Sequence, residues 1–279
     1  MKYKLIVLDM DGTLLNSNKE VSIENQKALK KALDSGIQVA IATGRIFTSA
    51  RFYARLLGIK APIIACNGAL VRDANSNEVL DINPIDKEDA LKVIEVFKKY
   101  NVYFHIYDEE KIYVEKLGFS SSIYNAWNED QSDENKISIE KLEDTIGYFK
   151  SNNINILKLM AVDDDDTKMD IIKKELEGIN SITIDKSWYN NLEVMSRGVS
   201  KGKGIEMLRK IYKVEPEEII AFGDNFNDLS MKYYVGTFVA MENGEEYVKK
   251  QAHYVTTSNN DNGVAKGIEK LILNIKNKY

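Results

Sequence analysis

One cysteine, two histidines and three prolines in 279 residues leave out much of what several protein classes are built from. The lone Cys66 excludes an intrachain disulfide, and the Asn-Gly that follows it marks a strand end rather than a reactive thiol. His105 and His253 both sit in apolar, strand-like surroundings, which argues against imidazole catalysis. Charge of one sign is also missing. The net charge is −5 with acids and bases mixed throughout, so no basic face invites nucleic acid and no polybasic amphipathic helix invites a membrane. Lys2 and Lys4 precede an apolar run of only four residues, too short for a signal peptide or a membrane span, so a cytoplasmic location is expected. The partner class left is a small polar metabolite, met by a monomer or weak homodimer.

What is present is an ordinary globular composition, 44% hydrophobic and 29% charged, long enough for two domains. The chain is organised around Asp9-Met10-Asp11-Gly12-Thr13-Leu14, which follows an apolar strand, Leu5 to Leu8. Two carboxylates separated only by Met10 at a strand's carboxyl end address one small volume, and Gly12 permits a sharp exit. The same pattern also occurs in plain turns and in calcium loops. A helix from Ile23 to Leu33 behind a Ser22 cap, then Gly36 and a second strand, Ile37 to Ala42, complete a strand-helix-strand unit. That unit ends at Thr43-Gly44-Arg45, which offers a hydroxyl, a flexible backbone and a guanidinium, the groups phosphate takes. A helix from Phe47 to Leu57 ends at Gly58, and a third strand, Pro62 to Ala65, runs into Cys66-Asn67-Gly68-Ala69. There Asn67 is either a ligand or part of a turn.

Near Pro84 the character changes. A helix from Lys87 to Tyr100 leads to an aromatic, alternating strand, Val102 to Tyr107, then to a polar stretch at Asn125 to Lys136 with no clear period. An apolar strand from Ile154 to Val162, a helix from Thr167 to Leu176 and short strands near Ile182 and Leu192 follow. We read residues 84–193 as an inserted α+β domain and residues 1–83 with 194–279 as the α/β core, a doubly wound, Rossmann-like parallel sheet. Tyr103, His105 and Tyr107 either line a substrate entrance or form a half-buried strand face. The acids Asp163 to Asp166 read as a solvated turn before a helix.

Ser200-Lys201-Gly202-Lys203-Gly204 reads as a glycine-rich basic loop opening a helix to Lys213, an anion site in which either lysine serves. The strand Ile219 to Phe222 ends in Gly223-Asp224-Asn225-Phe226-Asn227-Asp228, a second acidic cluster at a strand end. A last strand, Thr237 to Met241, and a terminal helix, Val264 to Asn274, complete the expectation. Gathered together, Asp9, Asp11, Thr43, Lys201, Asp224, Asn227 and Asp228 form a hard-oxygen site that suits Mg²⁺ and disfavours zinc. The hydroxyl and ammonium supply donors for a transferring phosphoryl group. Of two neighbouring carboxylates, one can attack phosphorus while the other moves the proton.

These four segments, Asp9-Met10-Asp11-Gly12-Thr13, Thr43-Gly44-Arg45, Lys201-Gly202 and Gly223-Asp224 with Asn227-Asp228, resemble in order the signature motifs of the haloacid dehalogenase superfamily. The long insert is similar to the cap of its Cof-type sugar-phosphatase branch. The resemblance implies Asp9 as nucleophile and Asp11 as general acid and base. It implies Thr43 and Lys201 as phosphoryl holders, with Gly44, Arg45, Asn67 and Asn227 around phosphate or substrate, and it favours Lys201 over Lys203. Asp9, the carbonyl of Asp11, Asp224 and Asp228 would hold or support Mg²⁺. The activity implied is hydrolysis of small phosphate monoesters, sugar phosphates or phosphorylated cofactors. The alternatives are a phosphomutase using the same residues and a non-catalytic protein that binds a phosphorylated metabolite.

Overall fold

All four residues of β1 (Leu5–Leu8) are buried, as a strand covered on both faces requires. The computed structural model describes residues 2–273. Helix α1 (Ile23–Asp34) starts where Ser22 Oγ accepts the Asn25 N–H at 3.2 Å. After β2 (Gln38–Ile41), helix α2 (Phe47–Leu57) stops at Gly58, whose φ of 67° is a left-handed stop. Three short strands follow, β3 (Ile63–Ala65), β4 (Leu70–Arg72) and β5 (Val79–Ile82). Helix α3 (Lys87–Lys99) is capped by Asp86 and carries Glu88 and Asp89 in its first turn and Lys98 and Lys99 in its last, in line with the helix dipole.

The next segment alternates β6 (Tyr103–Tyr107), β7 (Lys111–Val114), α4 (Phe119–Trp127), β8 (Ser138–Lys141), α5 (Thr145–Ser151), β9 (Lys158–Val162), α6 (Asp166–Leu176), β10 (Ile182–Asp185) and β11 (Asn191–Ser196). Then come α7 (Lys201–Tyr212), β12 (Ile219–Gly223), β13 (Thr237–Met241), α8 (Glu246–Gln251), β14 (Tyr254–Thr256) and α9 (Gly263–Ile268).

Five strands in the order β14-β13-β12-β1-β2, all parallel, make the central sheet. The chain leaves β1 toward β2 on one side and returns as β12 on the other, so the order reverses between β1 and β12. That reversal opens a crevice at the strands' carboxyl ends, where doubly wound sheets bind ligands. A second sheet, β10-β11-β9-β6-β7-β8, is antiparallel except between β7 and β8. One of its faces buries Phe104, Ile106, Leu159 and Val194 with residues of α3, α5 and α6. Alternation sends Tyr107, Lys158, Met160 and Glu193 to the other face, toward the crevice.

Several expectations need correction. β3 belongs to a small antiparallel sheet with β4 and β5 and touches the central sheet through one parallel bridge, Ala42 to Ile64. The second sheet continues to Ser196, past the boundary expected at 193. The polar stretch begins inside a helix, α4, and leads toward β8. Thr237 to Met241 is not the last strand, because β14 pairs beside it. The glycine-rich segment at 201–204 is not a loop but the first turn of α7. A Cβ on Gly202 would lie 2.4 Å from the Ser230 carbonyl oxygen and one on Gly204 2.5 Å from Ile64, so these glycines let the helix pack closely. His253 is exposed rather than apolar in setting, and its Nδ1 accepts the Phe238 N–H at 3.0 Å. After Ile268 the terminal helix widens into a π turn to Leu273, and the expected end at Asn274 lies outside the described residues.

Candidate active site

Four chain segments deliver side chains to one crevice. Asp9 caps β1, with its N–H donated to the Phe222 carbonyl of β12 at 3.0 Å. Thr43, Gly44 and Arg45 follow β2, Lys201 opens α7, and Asp224, Asn227 and Asp228 follow β12. Lys201 Nζ donates to Asp9 Oδ1 and to Asp228 Oδ1, both at 2.6 Å, and all three side chains are buried. Asp228 Oδ2 accepts the backbone N–H groups of Asp224 and Asn225 at 2.9 and 3.0 Å, while Thr13 Oγ1 donates to Asp224 Oδ1 at 2.8 Å. Only glycine fits at position 12, because φ there is 79° and a Cβ would lie 2.3 Å from Asp224 Oδ2. Lys203, by contrast, lies over the Tyr234 ring at 5.9 Å and takes no part, which leaves Lys201 as the lysine of the site.

Carboxylate oxygens of Asp9, Asp224 and Asp228 lie within 4.8 Å of one another. Burial and the Asp228 charge push the Asp9 carboxyl well up from its ordinary value, and burial with Asp9 and Asp228 does the same to Asp224. Burial works against the Lys201 ammonium, but Asp228 and Asp9 outweigh it and hold the proton on. Three buried carboxylates against one ammonium are a set with an unmet need for positive charge. A small divalent cation with a preference for oxygen fits it.

The Asp11 carboxylate does not join this triad. It accepts Arg45 Nε and Nη2, each at 2.6 Å, and Lys19 Nζ at 2.8 Å. Burial opposes its ionisation, yet Arg45 and Lys19 prevail and hold the carboxyl well below the ordinary range. As a side-chain metal ligand Asp11 is therefore misplaced here, because its oxygens are committed to the guanidinium. Asn67 is brought near but not onto the cavity wall: its Nδ2 donates to Glu193 Oε2 at 2.6 Å and its Oδ1 accepts Asn227 Nδ2 at 3.2 Å. Burial pushes the Cys66 thiol up to about 12, consistent with an inert strand-end residue.

Above these groups lies a cavity of about 330 Å³, within the range of small-molecule sites. Its floor holds Asp9, Asp11, Thr43, Arg45, Asp224 and Asn227, and its roof comes from the second sheet and α4. Of the three aromatic residues expected along β6, Tyr107 lines the cavity, whereas His105 lies behind it with Nε2 on the Tyr107 hydroxyl at 2.8 Å. Burial and Lys158 keep His105 neutral, its value lowered to about 3. Sequence reading missed Lys158 and Glu193, which form a buried ion pair at 2.8 Å on the roof. Lys158 Nζ also donates to the Gly44 carbonyl at 2.6 Å. The signal was available as opposite charges inside two apolar strand runs, Leu157-Lys158-Leu159 and Leu192-Glu193-Val194.

A family model described as haloacid dehalogenase-like hydrolase matches residues 6–268. A 5-amino-6-(5-phospho-D-ribitylamino)uracil phosphatase of Bacillus subtilis is 31% identical over 96% of this chain and 98% of its own. A pyridoxal phosphate phosphatase of Escherichia coli is 29% identical over the same shares. A haloacid dehalogenase-like hydrolase of B. subtilis, solved as a structure, superposes with a TM-score of 0.85 at 29% identity, covering 96% of this chain and all of that one. The four strand-end segments that build the crevice thus sit in a chain matched nearly end to end, and the protein belongs to the haloacid dehalogenase-like hydrolases.

Proposed function

We propose that the protein is a Mg²⁺-dependent phosphohydrolase of small phosphate monoesters that works through an aspartyl-phosphate on Asp9. The observation that carries this reading is Asp9 held on Lys201 beside Asp224 and Asp228, at the floor of a cavity that also presents Thr43. Mg²⁺ held by Asp9, Asp224 and the Asp11 carbonyl, with Asp228 in support, would supply positive charge to the phosphoryl oxygens and screen an anionic nucleophile from an anionic substrate. An Asp9 carboxylate oxygen attacks phosphorus, the bond to the leaving oxygen breaks, and Asp11 gives that oxygen its proton. Water then attacks the same phosphorus, Asp11 takes the water's proton, and Asp9 is released as a carboxylate with orthophosphate as product. The Thr43 hydroxyl and Lys201 ammonium hold equatorial oxygens throughout. Arg45 and the Gly44 backbone flank the phosphate, and Asn67 positions Asn227 beside it.

The Asp11–Arg45 pair bears on this cycle. A carboxylate pinned by a guanidinium holds no proton to give and takes one up only weakly, so both half-reactions require Arg45 to release Asp11 as substrate enters. Residues 84 to 196 then act as a cap whose roof reads the leaving group. The activities named for the two relatives support a phosphorylated small metabolite as substrate.

Phosphate release from a panel of monoesters tests the reading. Turnover should require Mg²⁺ and stop with chelator, and Asp9→Asn should lower it at least ~1000-fold while leaving the fold intact by circular dichroism. Near-native turnover by Asp9→Asn would overturn the nucleophile assignment. Isomerised product without free phosphate would replace hydrolysis by phosphoryl transfer within the substrate.

A further inference from the structure

We infer that the substrate's leaving group carries a flat aromatic ring, seated against Trp127 and Trp188 at the mouth of the cavity; this rests on the phosphohydrolase reading. Both tryptophans of the chain line this one cavity. On α4 the lining positions are Ser120, Ile123, Tyr124 and Trp127, a single stripe at helical spacing. That stripe lines the cavity while Tyr124 and Trp127 also pack at their backs against the core. Ile123 is 62% and Trp188 61% exposed, and large apolar side chains gathered at a pocket mouth mark a surface meant to be covered.

The Trp127 ring and the Trp188 backbone are held in place. Phe52 meets Trp127 edge to face, with centroids 5.4 Å apart and planes at 86°. The Ser187 and Trp188 N–H groups donate to Asn191 Oδ1 at 3.1 and 3.0 Å, and the Ser187 carbonyl accepts Asn225 Nδ2 at 3.0 Å. Asn225 adjoins Asp224, so the Trp188 platform is indexed to the reacting end of the site. A fixed aromatic surface takes up a ring at little ordering cost.

The charged groups of the roof are also already spent. Lys158 and Glu193 already satisfy each other, the Gly44 carbonyl and Asn67. A polyol leaving group would meet mostly aromatic carbon, with the Ser120 and Tyr124 hydroxyls as partners for only part of its hydroxyls, at a desolvation cost a heterocycle avoids.

Pyridoxine 5′-phosphate, ribose 5-phosphate and glycerol 3-phosphate all release a primary alcohol, so the reacting end stays the same while the rest changes from ring to polyol. The expected result is a kcat/KM at least about tenfold higher for pyridoxine phosphate, with Trp127→Leu and Trp188→Leu each lowering its ratio to glycerol phosphate about threefold to tenfold. In the metal-free protein, pyridoxine phosphate should quench tryptophan fluorescence saturably, because both indoles lie at the site, and ribose 5-phosphate should not. Equal or better turnover of the ring-free esters, or an equal loss on both kinds of ester in the tryptophan variants, overturns the proposal. No phosphate from any ester overturns the phosphohydrolase reading instead. The ring proposal is then decided by quenching, which must be selective for the ring compound to sustain it.

Discussion

Lys201 neutralises one of three carboxylates that crowd it, and the remainder is a liability until a cation arrives. Asp9 and Asp224 have folded-state values raised above those of the unfolded chain, so the folded state holds their protons more tightly. The stability they contribute is complete below the ordinary carboxylate range, near pH 4, and is lost as pH rises toward neutrality. Metal-free Asp224→Asn should therefore melt higher than the parent at pH 7, by about 1–3 kcal/mol, with the difference vanishing near pH 4. A thermal melt series across pH in chelator checks this, and a variant less stable at pH 7 contradicts it. The opposite sign applies at Asp11, whose proton is driven off by Arg45 and Lys19. Arg45→Met should raise the Asp11 value, so the descending limb of the kcat/KM profile moves to higher pH even as activity falls. An unmoved limb would detach Asp11 from the acid role.

At the scale of elements, β9 and β11 meet the core loop after β2 through one ammonium, Lys158, buried against Glu193 and the Gly44 carbonyl. Removing one member of a buried pair strands the other, so Lys158→Met should cost about 3–5 kcal/mol in urea unfolding. Pairing it with Glu193→Leu should recover much of that loss, whereas additive losses would mean the two act separately. What was legible in the sequence follows from which surfaces an element buries. β1, β2, β12 and β13 were readable as apolar runs because the central sheet is covered on both faces. Ser22 and Gly58 punctuated their helices as expected. β14 was not readable, since three residues with Val255 at 41% exposure carry no period. α4 escaped because it begins on Gly118 without a side-chain cap and shares its apolar stripe between a cavity and the core, leaving Ile123 exposed. The polar residues at the strand ends were found by type and spacing. That Asp11 pairs with Arg45, or that Asn67 bridges Glu193 and Asn227, depends on rotamers and on the roof, neither of which spacing encodes.

For the whole molecule, the proposed cation would couple its binding to folding. Mg²⁺ at a hundred times its dissociation constant should add about 2.7 kcal/mol, a rise in Tm of roughly 5 °C for a chain of this size. Differential scanning calorimetry with and without the ion checks it, and Asp224→Asn should show little of the rise. Among the described residues no helix is long and apolar enough to cross a membrane. The sheet order carries a consequence for synthesis. β1 is made first, yet its neighbour β12 pairs Leu5 with Ile219 and brings the second half of the acidic cluster. At about 5–20 residues per second, the ribosome needs on the order of 10–40 s to get from one to the other. Through that interval Asp9 has no Asp224 or Asp228 beside it, so by the mechanism proposed above a nascent chain would neither gather a cation nor attack a phosphate ester. On the proposed mechanism, chemistry waits for β12, and a product truncated before that strand is expected to be inert.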